Sequence, residues 1–243
     1  MRLGGRVQAA IEVLSDMEKR KRPASEALKG WGLDHRFAGS GDRAAIGNIV
    51  YDALRNKAST QYLMNSDKPR RLVLGTLLRF WDFSPESLNA QFEGDKFAPD
   101  PLNDDEIAAF TTRKLDDAPP HVQADVPEWL AASFEANFDE EWITEAQSMT
   151  LRPPVDLRVN TLKANSAKVA KALTKTGAIP TQIARQGLRI EAGQGPSRQP
   201  NVQAEGAFQK GWFEIQDEGS QIVADLAALV LDFEPGRGQP DRR

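Results

Sequence analysis

Two adjacent carboxylates, Asp217 and Glu218, are the first side chains in this sequence whose spacing suggests acid–base chemistry. They lie in the stretch Gln216–Gln221, between an apolar segment that predicts a strand and one that predicts a helix. Acidic side chains at such a turn cap the helix and interact favourably with its dipole. Capping is therefore the simpler interpretation, and we predict no catalytic residue here.

Other side chains with catalytic or metal-binding chemistry are few. The chain has no cysteine and two histidines, His35 and His121. The composition thus excludes disulfides, thiolate metal sites and cysteine nucleophiles. Neither histidine has a candidate partner nearby in the sequence, so both are expected to be ordinary surface or turn residues. A metal site would have to be rich in carboxylates, and none is predicted.

The charge is distributed in blocks, although the net charge is −4. Residues 1–79 carry a net charge of +7, residues 80–150 carry −14, residues 151–213 carry +7 and residues 214–243 carry −4. Each basic block could neutralise RNA phosphates. The alternative is that the basic and acidic segments face one another in the fold, and charge alone leaves both interpretations open.

Basic residues near residue 160 are the best candidates for contact with an anionic partner. Arg158 lies between apolar neighbours on a predicted strand, which favours contact with RNA or an acidic partner. Asn160 is a candidate for RNA binding, but a turn residue at the strand end is an equal alternative. The lysines of the next predicted helix are expected to form only its solvated face; they are Lys168, Lys171 and Lys175.

The first 130 residues or so predict an all-helical bundle. Apolar stripes predict helices over 7–20, 24–28, 45–54 and 70–83, with Asp42 as the N-cap of the third. Ser84 and Pro85 predict the start of another helix. Segments 93–105 and 116–127, rich in Pro and Asp, predict loops, and residues 128–149 predict one or two helices.

After Pro153 and Pro154 the pattern changes to a small α/β unit. Alternating residues predict a strand over 155–160, and short strands are predicted over 187–190 and 212–216. Ser166 is predicted to cap a helix that closes at Gly177, and a further helix is expected from Asp217 or Ser220 through Leu229. The expected order is strand, helix, strand, or βαβ. We expect a soluble, cytoplasmic protein, because no apolar run is long enough for a membrane helix.

Three segments together resemble the RsmB-type branch (RsmB/Nop, Sun/Fmu-like) of the rRNA (cytosine-C5) methyltransferases. Residues 156–163, DLRVNTLK, are similar to the L-R-V-N-x-x-K strand of that family. Residues 213–221, FEIQDEGSQ, are similar to its Q-D-x-x-S-Q entry to the catalytic domain. The helical region, with Asp42-Arg43 and Tyr51–Arg55, resembles the appended NusB-like RNA-binding domain.

The resemblance implies a domain order and a set of RNA-binding residues. It implies a NusB-like helical domain over 1–128, a helical linker over 129–154, an RNA-recognition subdomain over 155–216 and the start of a methyltransferase domain over 217–243. The implied partner is RNA, most directly small-subunit rRNA, with no DNA or membrane. The RNA-binding candidates are Arg43, Arg55, Arg158, Asn160 and Lys163.

The same resemblance implies chemistry that this sequence lacks. In the family a cysteine thiolate adds to cytosine C6 before C5 is methylated from S-adenosylmethionine, and this chain has no cysteine. Residues 230–239 imitate the glycine-rich cofactor loop only superficially, and Glu234–Gly236 fits better as the turn that precedes it. We therefore expect no cofactor binding by this chain, and a truncated or frame-disrupted, inactive family member. Two alternatives remain: a stand-alone NusB-like RNA-binding or antitermination-type protein, and a vestigial product that associates through an exposed C-terminal helix.

Overall fold

The computed structural model describes residues 1–232 and contains two compact units. The first unit comprises residues 1–152 together with the short segment 193–198. The second comprises residues 153–192 and, within the described chain, residues 199–232. The predicted turn at Glu234–Gly236 and the part of the imitated cofactor loop beyond residue 232 lie outside the described residues.

The first unit is entirely helical within the described chain, as the apolar periodicity predicted. Short 3₁₀ turns at Leu115–Asp117 and Asp139–Glu141 connect its later helices. Its α-helices are α1 Leu3–Arg20, α2 Ala24–Asp34, α3 Ser40–Arg55, α4 Lys57–Leu63, α5 Pro69–Phe80, α6 Pro85–Phe92, α7 Asp104–Thr112, α8 Pro120–Gln123, α9 Glu128–Phe138 and α10 Trp142–Met149.

The main core of this unit is formed by the apolar stripes of α1, α3 and α5. Val7 of α1, Ile49 of α3 and Leu77 of α5 are fully buried in one cluster. Gly75 allows α4 to approach α5, because a Cβ at this position would lie 2.5 Å from Met64 Cγ and 2.7 Å from Thr60 Cγ2. A smaller cluster around Trp142 packs α8, α9 and α10 together.

Several helix ends differ from the prediction. Asp42 is not the N-cap of α3: that position is Gly39, and Asp42 lies in the first turn, where its carboxylate accepts from the Gly39 N–H (3.2 Å). Helix α2 extends to Asp34, beyond the predicted end at Leu28. The predicted loop 116–127 contains the short helix α8. Ser84 caps α6 as predicted, its side chain accepting from the Ser87 N–H (3.2 Å).

The second unit contains a four-stranded antiparallel sheet in the order β2-β3-β1-β4. Strands β1 and β2 both run antiparallel to β3, which lies between them, so they are parallel to each other. With the intervening helix α11 they form a split β-α-β unit, the arrangement of ferredoxin-like folds. The strands are β1 Val155–Val159, β2 Ile179–Pro180, β3 Gly187–Ile190 and β4 Phe213–Ile215.

The core of the second unit lies on one face of this sheet. Leu157, Leu188 and Phe213 pack against Val169 and Leu173 of the covering helix, and all five are buried. Strand β1 alternates as predicted, with Leu157 and Val159 inward and Arg158 outward. The helices of this unit are α11 Ser166–Ala172, α12 Gly206–Gln209 and α13 Glu218–Asp232.

The ends of α11 correct one prediction and confirm another. Asn165, not Ser166, is the N-cap, because its side chain accepts from the Lys168 N–H (2.8 Å). Gly177 closes the segment in the left-handed region, at a φ of 75°, which glycine adopts without steric cost. No helix among the described residues has the length and apolar character needed to cross a bilayer.

Candidate nucleic-acid interface

A tryptophan flanked by lysines forms a cationic aromatic surface on the second unit. Trp212 precedes β4, and the Lys168 Nζ of α11 lies 4.1 Å from its ring centroid. The Lys210 Nζ lies 5.1 Å from the same centroid. Both distances fall within the range of cation–π attraction. Lys168, predicted only as part of a solvated helix face, and Lys210, for which no role is predicted, thus lie at the same aromatic ring.

Asn160 positions the turn beside this ring. Its backbone N–H donates to the Trp212 carbonyl (2.9 Å), and its Nδ2 donates to the Gly211 carbonyl (3.1 Å). Its Oδ1 accepts from the Leu162 N–H (3.2 Å). Of the two roles considered for Asn160, the structure shows the turn role directly, and this turn carries Lys163 to the surface.

Lys163 completes the surface. A Cβ built at Gly211 would lie 2.8 Å from the Lys163 Nζ, so the amine lies directly over this glycine, next to Trp212. Lys163, Lys168 and Lys210 are all exposed, and among the described residues none of the three forms a salt bridge. We call Lys163, Lys168, Lys210 and Trp212 the Trp–Lys surface. The three ammonium groups can bind phosphates, and the half-buried Trp212 ring, which lies beside Lys168 and Lys210, offers an aromatic surface to a base.

Arg158 lies apart from the Trp–Lys surface. It projects from the face of β1 opposite to Leu157 and Val159, while α11 packs on the face with those residues. Its Nη1 reaches Gln216 Oε1 only at 3.5 Å, and its cross-strand partner is Glu214. Arg158 is exposed on the outer face of the sheet, where its role in RNA contact remains a prediction.

Arg43 and Arg55 lie on α3 of the first unit, in settings that serve the fold. The Arg43 Nε donates to the Ala38 carbonyl (3.0 Å), which holds the turn before α3. Arg55 reaches Asp52 at 3.3 Å and lies 5.8 Å from the Tyr51 ring centroid. The two arginines are separated by about 18 Å along the helix axis, at 1.5 Å per residue. The structure does not bring them together into one patch.

The capping interpretation of the adjacent carboxylates at the start of α13 is confirmed for Asp217, whereas Glu218, in the first turn, binds the segment before β3. Asp217 Oδ1 accepts from the Ser220 N–H (2.8 Å), and Glu218 Oε1 accepts from the N–H groups of Ile183 (2.8 Å) and Ala184 (3.0 Å). The hydrogen bonds from the Ser220 hydroxyl (2.6 Å) and N–H lower the pKa of Asp217, and those from the N–H groups of Ala184 and Ile183 lower the pKa of Glu218. Both groups are therefore charged at neutral pH, and neither has the raised pKa of a general acid.

A buried ion pair anchors the same region. Arg189 on β3 donates to both oxygens of Asp156 on β1, at 2.7 and 2.8 Å. Asp156 also accepts from the Glu218 N–H (3.0 Å), so one carboxylate connects two strands and the start of α13. The hydrogen bonds from Arg189 hold the pKa of Asp156 below its usual range. This cluster is fully paired and serves the fold.

The described residues do not fit an S-adenosylmethionine site. Such sites place a glycine-rich loop between a parallel strand and a helix, where backbone amides hold the cofactor. Within residues 1–232 every strand pairing is antiparallel, and β4 leads into α13 through Gln216 and Asp217, whose side chain occupies the helix start.

Part of this chain is similar to a known domain family. Residues 126–195 match the family described as "Methyltr_RsmF/B-like, ferredoxin-like domain", which agrees with the strand order of the second unit. A solved crystal structure, that of PH0851, matches 97% of this chain and 58% of its own, with a TM-score of 0.54 and 18% sequence identity. At that identity the likeness concerns the fold alone.

Curated proteins similar to this chain include ribosomal RNA small subunit methyltransferases. The chain is 28% identical over 120 residues to ribosomal RNA small subunit methyltransferase B of Pseudomonas putida, a match that covers 49% of this chain and 25% of that protein. It is 31% identical over 110 residues to the probable ribosomal RNA small subunit methyltransferase B of Synechocystis, covering 43% and 23%. The chain thus spans about a quarter of the length of these relatives. The predicted relationship to the RsmB-type rRNA methyltransferase family is confirmed.

Two residues of the Trp–Lys surface, Lys210 and Trp212, are not predicted from the sequence. The sequence pattern predicts Trp212 only as the first residue of a strand, and it gives Lys210 no role. The signal was available, because a lysine, a glycine and an aromatic residue follow one another at Lys210–Trp212 just before a strand. The glycine adopts a φ of 67°, which turns the chain between the exposed Lys210 and the half-buried Trp212.

Proposed function

We propose that this chain binds structured RNA as the RNA-binding part of an S-adenosylmethionine-dependent rRNA (cytosine-C5) methyltransferase. The observation that carries the proposal is the Trp–Lys surface, in which the amines of Lys168 and Lys210 lie over the Trp212 ring and that of Lys163 lies over the adjacent Gly211, on a turn fixed by Asn160. The relatives are named as enzymes of small-subunit ribosomal RNA, which supports this RNA as the partner.

The chemistry of the surface suits RNA. Protein–RNA recognition combines cations for the phosphates with aromatic faces for unstacked bases. A lysine has three donors and a compact charge, so it binds phosphate in many orientations. The fixed turn lowers the cost of binding, because the side chains are positioned before the RNA arrives.

Methyl transfer is not assigned to any residue of this chain. The resembled mechanism needs a thiolate that adds to cytosine and later leaves, and the sequence contains no cysteine. We expect no transfer of label from S-adenosylmethionine to small-subunit rRNA by this chain. Arg43, Arg55 and Arg158 remain candidates for additional RNA contacts, and a NusB-like role for the helical unit remains part of the proposal.

Charge reversal of the surface tests the proposal. In a fluorescence-anisotropy titration with a small-subunit rRNA fragment, the variant K163E/K168E/K210E should bind at least about tenfold more weakly than the unmodified chain. The matched control is K171E/K175E/R185E, which makes the same change in net charge at exposed positions of the same unit. Equal losses in both variants would show that only overall charge matters and would contradict the proposed interface.

A further inference from the structure

The first unit contains an open cavity that no part of the proposed interface uses. The cavity has a volume of about 770 Å³ and lies between the start of α1, the end of α2 and the turn at residues 94–97. This volume is in the range of small-ligand sites. The side chains that matter for its chemistry are Trp31, His35, Phe37, Phe97, Arg2 and Lys96.

Aromatic rings form much of the cavity wall. Trp31 and His35 stack with their centroids 4.1 Å apart and their planes at 9°, and Phe37 meets His35 edge-on at 5.8 Å. Phe37 is 73% exposed and Phe97 is 64% exposed. Burial of such rings stabilises a fold, so exposed rings around one cavity are unusual unless a flat partner covers them.

Hydrogen bonds hold the wall in place. The Trp31 Nε1 donates to Glu12 Oε2 (2.9 Å), and the Glu12 Oε1 accepts from Gln8 (3.1 Å). Asp95 accepts from the N–H groups of Gly5 and Phe97, both at 3.1 Å. The two acids of the cavity are thus engaged with the protein itself, while the exposed rings of Phe37 and Phe97 remain accessible to a partner.

Cations complete the chemistry at the rim. The Lys96 Nζ lies 4.8 Å from the Phe97 ring centroid, and Arg2 donates only one hydrogen bond of the described structure, to the Gly94 carbonyl (3.2 Å). The lining thus carries these two basic side chains beside two carboxylates, Glu12 and Asp95, that are already hydrogen-bonded within the protein. Aromatic faces inside and cations outside match a nucleotide, which has a flat base and an anionic phosphate.

We propose that this cavity holds an unpaired base of a single-stranded RNA segment, with Arg2 and Lys96 near its phosphates. The inference rests on the proposed RNA-binding function and extends it to a second site with a defined substrate class. Stacking of one base on aromatic side chains changes affinity by about 5- to 150-fold when the aromatic residue is replaced by alanine.

Photocrosslinking of the full chain tests this inference. A short single-stranded RNA containing 4-thiouridine is irradiated with the protein, and mass spectrometry locates the modified peptides. We expect crosslinks within residues 31–37 or 94–97. Phe37→Ala and Phe97→Ala should weaken binding of this RNA by about 5- to 150-fold and reduce those crosslinks. Both rings are exposed, so neither variant should unfold the core.

The control is Trp129→Ala, which removes an exposed aromatic residue (78%) that does not line the cavity and should leave binding unchanged. Crosslinks confined to residues 160–163 and 210–212 would overturn the base pocket and support the Trp–Lys surface. Crosslinks confined to the cavity would support the pocket and contradict that surface. Unchanged crosslinks with loss of self-association in Phe37→Ala would mean that a second copy covers the cavity, and would overturn the proposal.

Discussion

Arg189 holds Asp156 through two parallel hydrogen bonds that join neighbouring strands, at 2.7 and 2.8 Å. The Asp156 side chain is only 5% exposed, and it also accepts from the first turn of α13. The Asp156 carboxylate thus connects β1 with β3 and with the start of α13. Charge-assisted, bidentate pairs of this kind are among the stronger hydrogen bonds in proteins.

Acid should therefore destabilise the second unit through Asp156. Its pKa is lowered in the folded chain, so its contribution to stability is present above the unfolded pKa of about 3.9 and is lost as pH falls through the lower folded value. Asp156→Asn should cost about 1.5–3 kcal/mol near neutral pH and flatten the loss of stability below about pH 4. Denaturant unfolding across this pH range checks it.

The matched control for this prediction is Glu214→Gln, which alters an exposed carboxylate on β4 of the same unit. A loss of stability in Asp156→Asn no larger than in this control would contradict the assigned role of the ion pair.

Trp212 should contribute to RNA affinity through its ring. Trp212→Ala removes both the stacking face and the ring that attracts Lys168 and Lys210, so affinity for an rRNA fragment should fall by about 1–3 kcal/mol. Trp212→Phe keeps a face and should recover most of that loss. Isothermal titration calorimetry measures both. An alanine variant that binds as well as the phenylalanine variant would argue against stacking.

Arg152 should control the order of residues 193–198. Its guanidinium binds Asp52 and donates to the carbonyls of Gly193 (2.8 Å) and Gly195 (2.9 Å), all within the first unit. Arg152→Ala should raise hydrogen exchange in this segment, measured by mass spectrometry. Arg198→Ala removes only one exposed hydrogen bond, at 3.3 Å to Ser40, and should have a much smaller effect. Equal exchange in the two variants would contradict the prediction.

Gly75 should tolerate no side chain. A Cβ would come within 2.7 Å of atoms of Met64 and Thr60, so Gly75→Ala should destabilise the helical unit by about 1–3 kcal/mol, despite the higher helix propensity of alanine. Thermal unfolding monitored by circular dichroism measures this loss. Gly41→Ala is the control, because its Cβ would meet nothing within 4 Å. A melting temperature as high in Gly75→Ala as in Gly41→Ala would show that α4 and α5 can move apart at little cost, and it would contradict the prediction.

The sequence predicted the elements with strong periodicity. Strands β1, β3 and β4 and the helices around Val7, Ile49 and Leu77 lie where alternating or helical apolar patterns placed them. Strand β2 was missed, because two residues are too few to show an alternation. The start of α7 carried an available signal: Asn103 and Glu106 exchange hydrogen bonds at 2.9 and 3.2 Å in a capping box.

The candidate site was only partly predictable, for a physical reason. Asn160 and Lys163 lie in a recognisable motif, but their neighbours Lys168 and Trp212 are separated by 44 positions and meet only through tertiary packing. No local periodicity reports such a contact. The Asp42 cap was predicted wrongly because Gly39, which has no side chain to signal a cap, adopts the extended backbone of that position.

The salt dependence of RNA binding tests the central claim most directly. The logarithm of the binding constant should fall linearly with the logarithm of salt concentration, and K163E/K168E/K210E should reduce the slope by about 2, or roughly 0.7–0.9 for each phosphate that the variant no longer neutralises. The control K171E/K175E/R185E should keep the slope of the unmodified chain. Identical slopes for all three proteins would show that the lysines around Trp212 do not contact RNA phosphates.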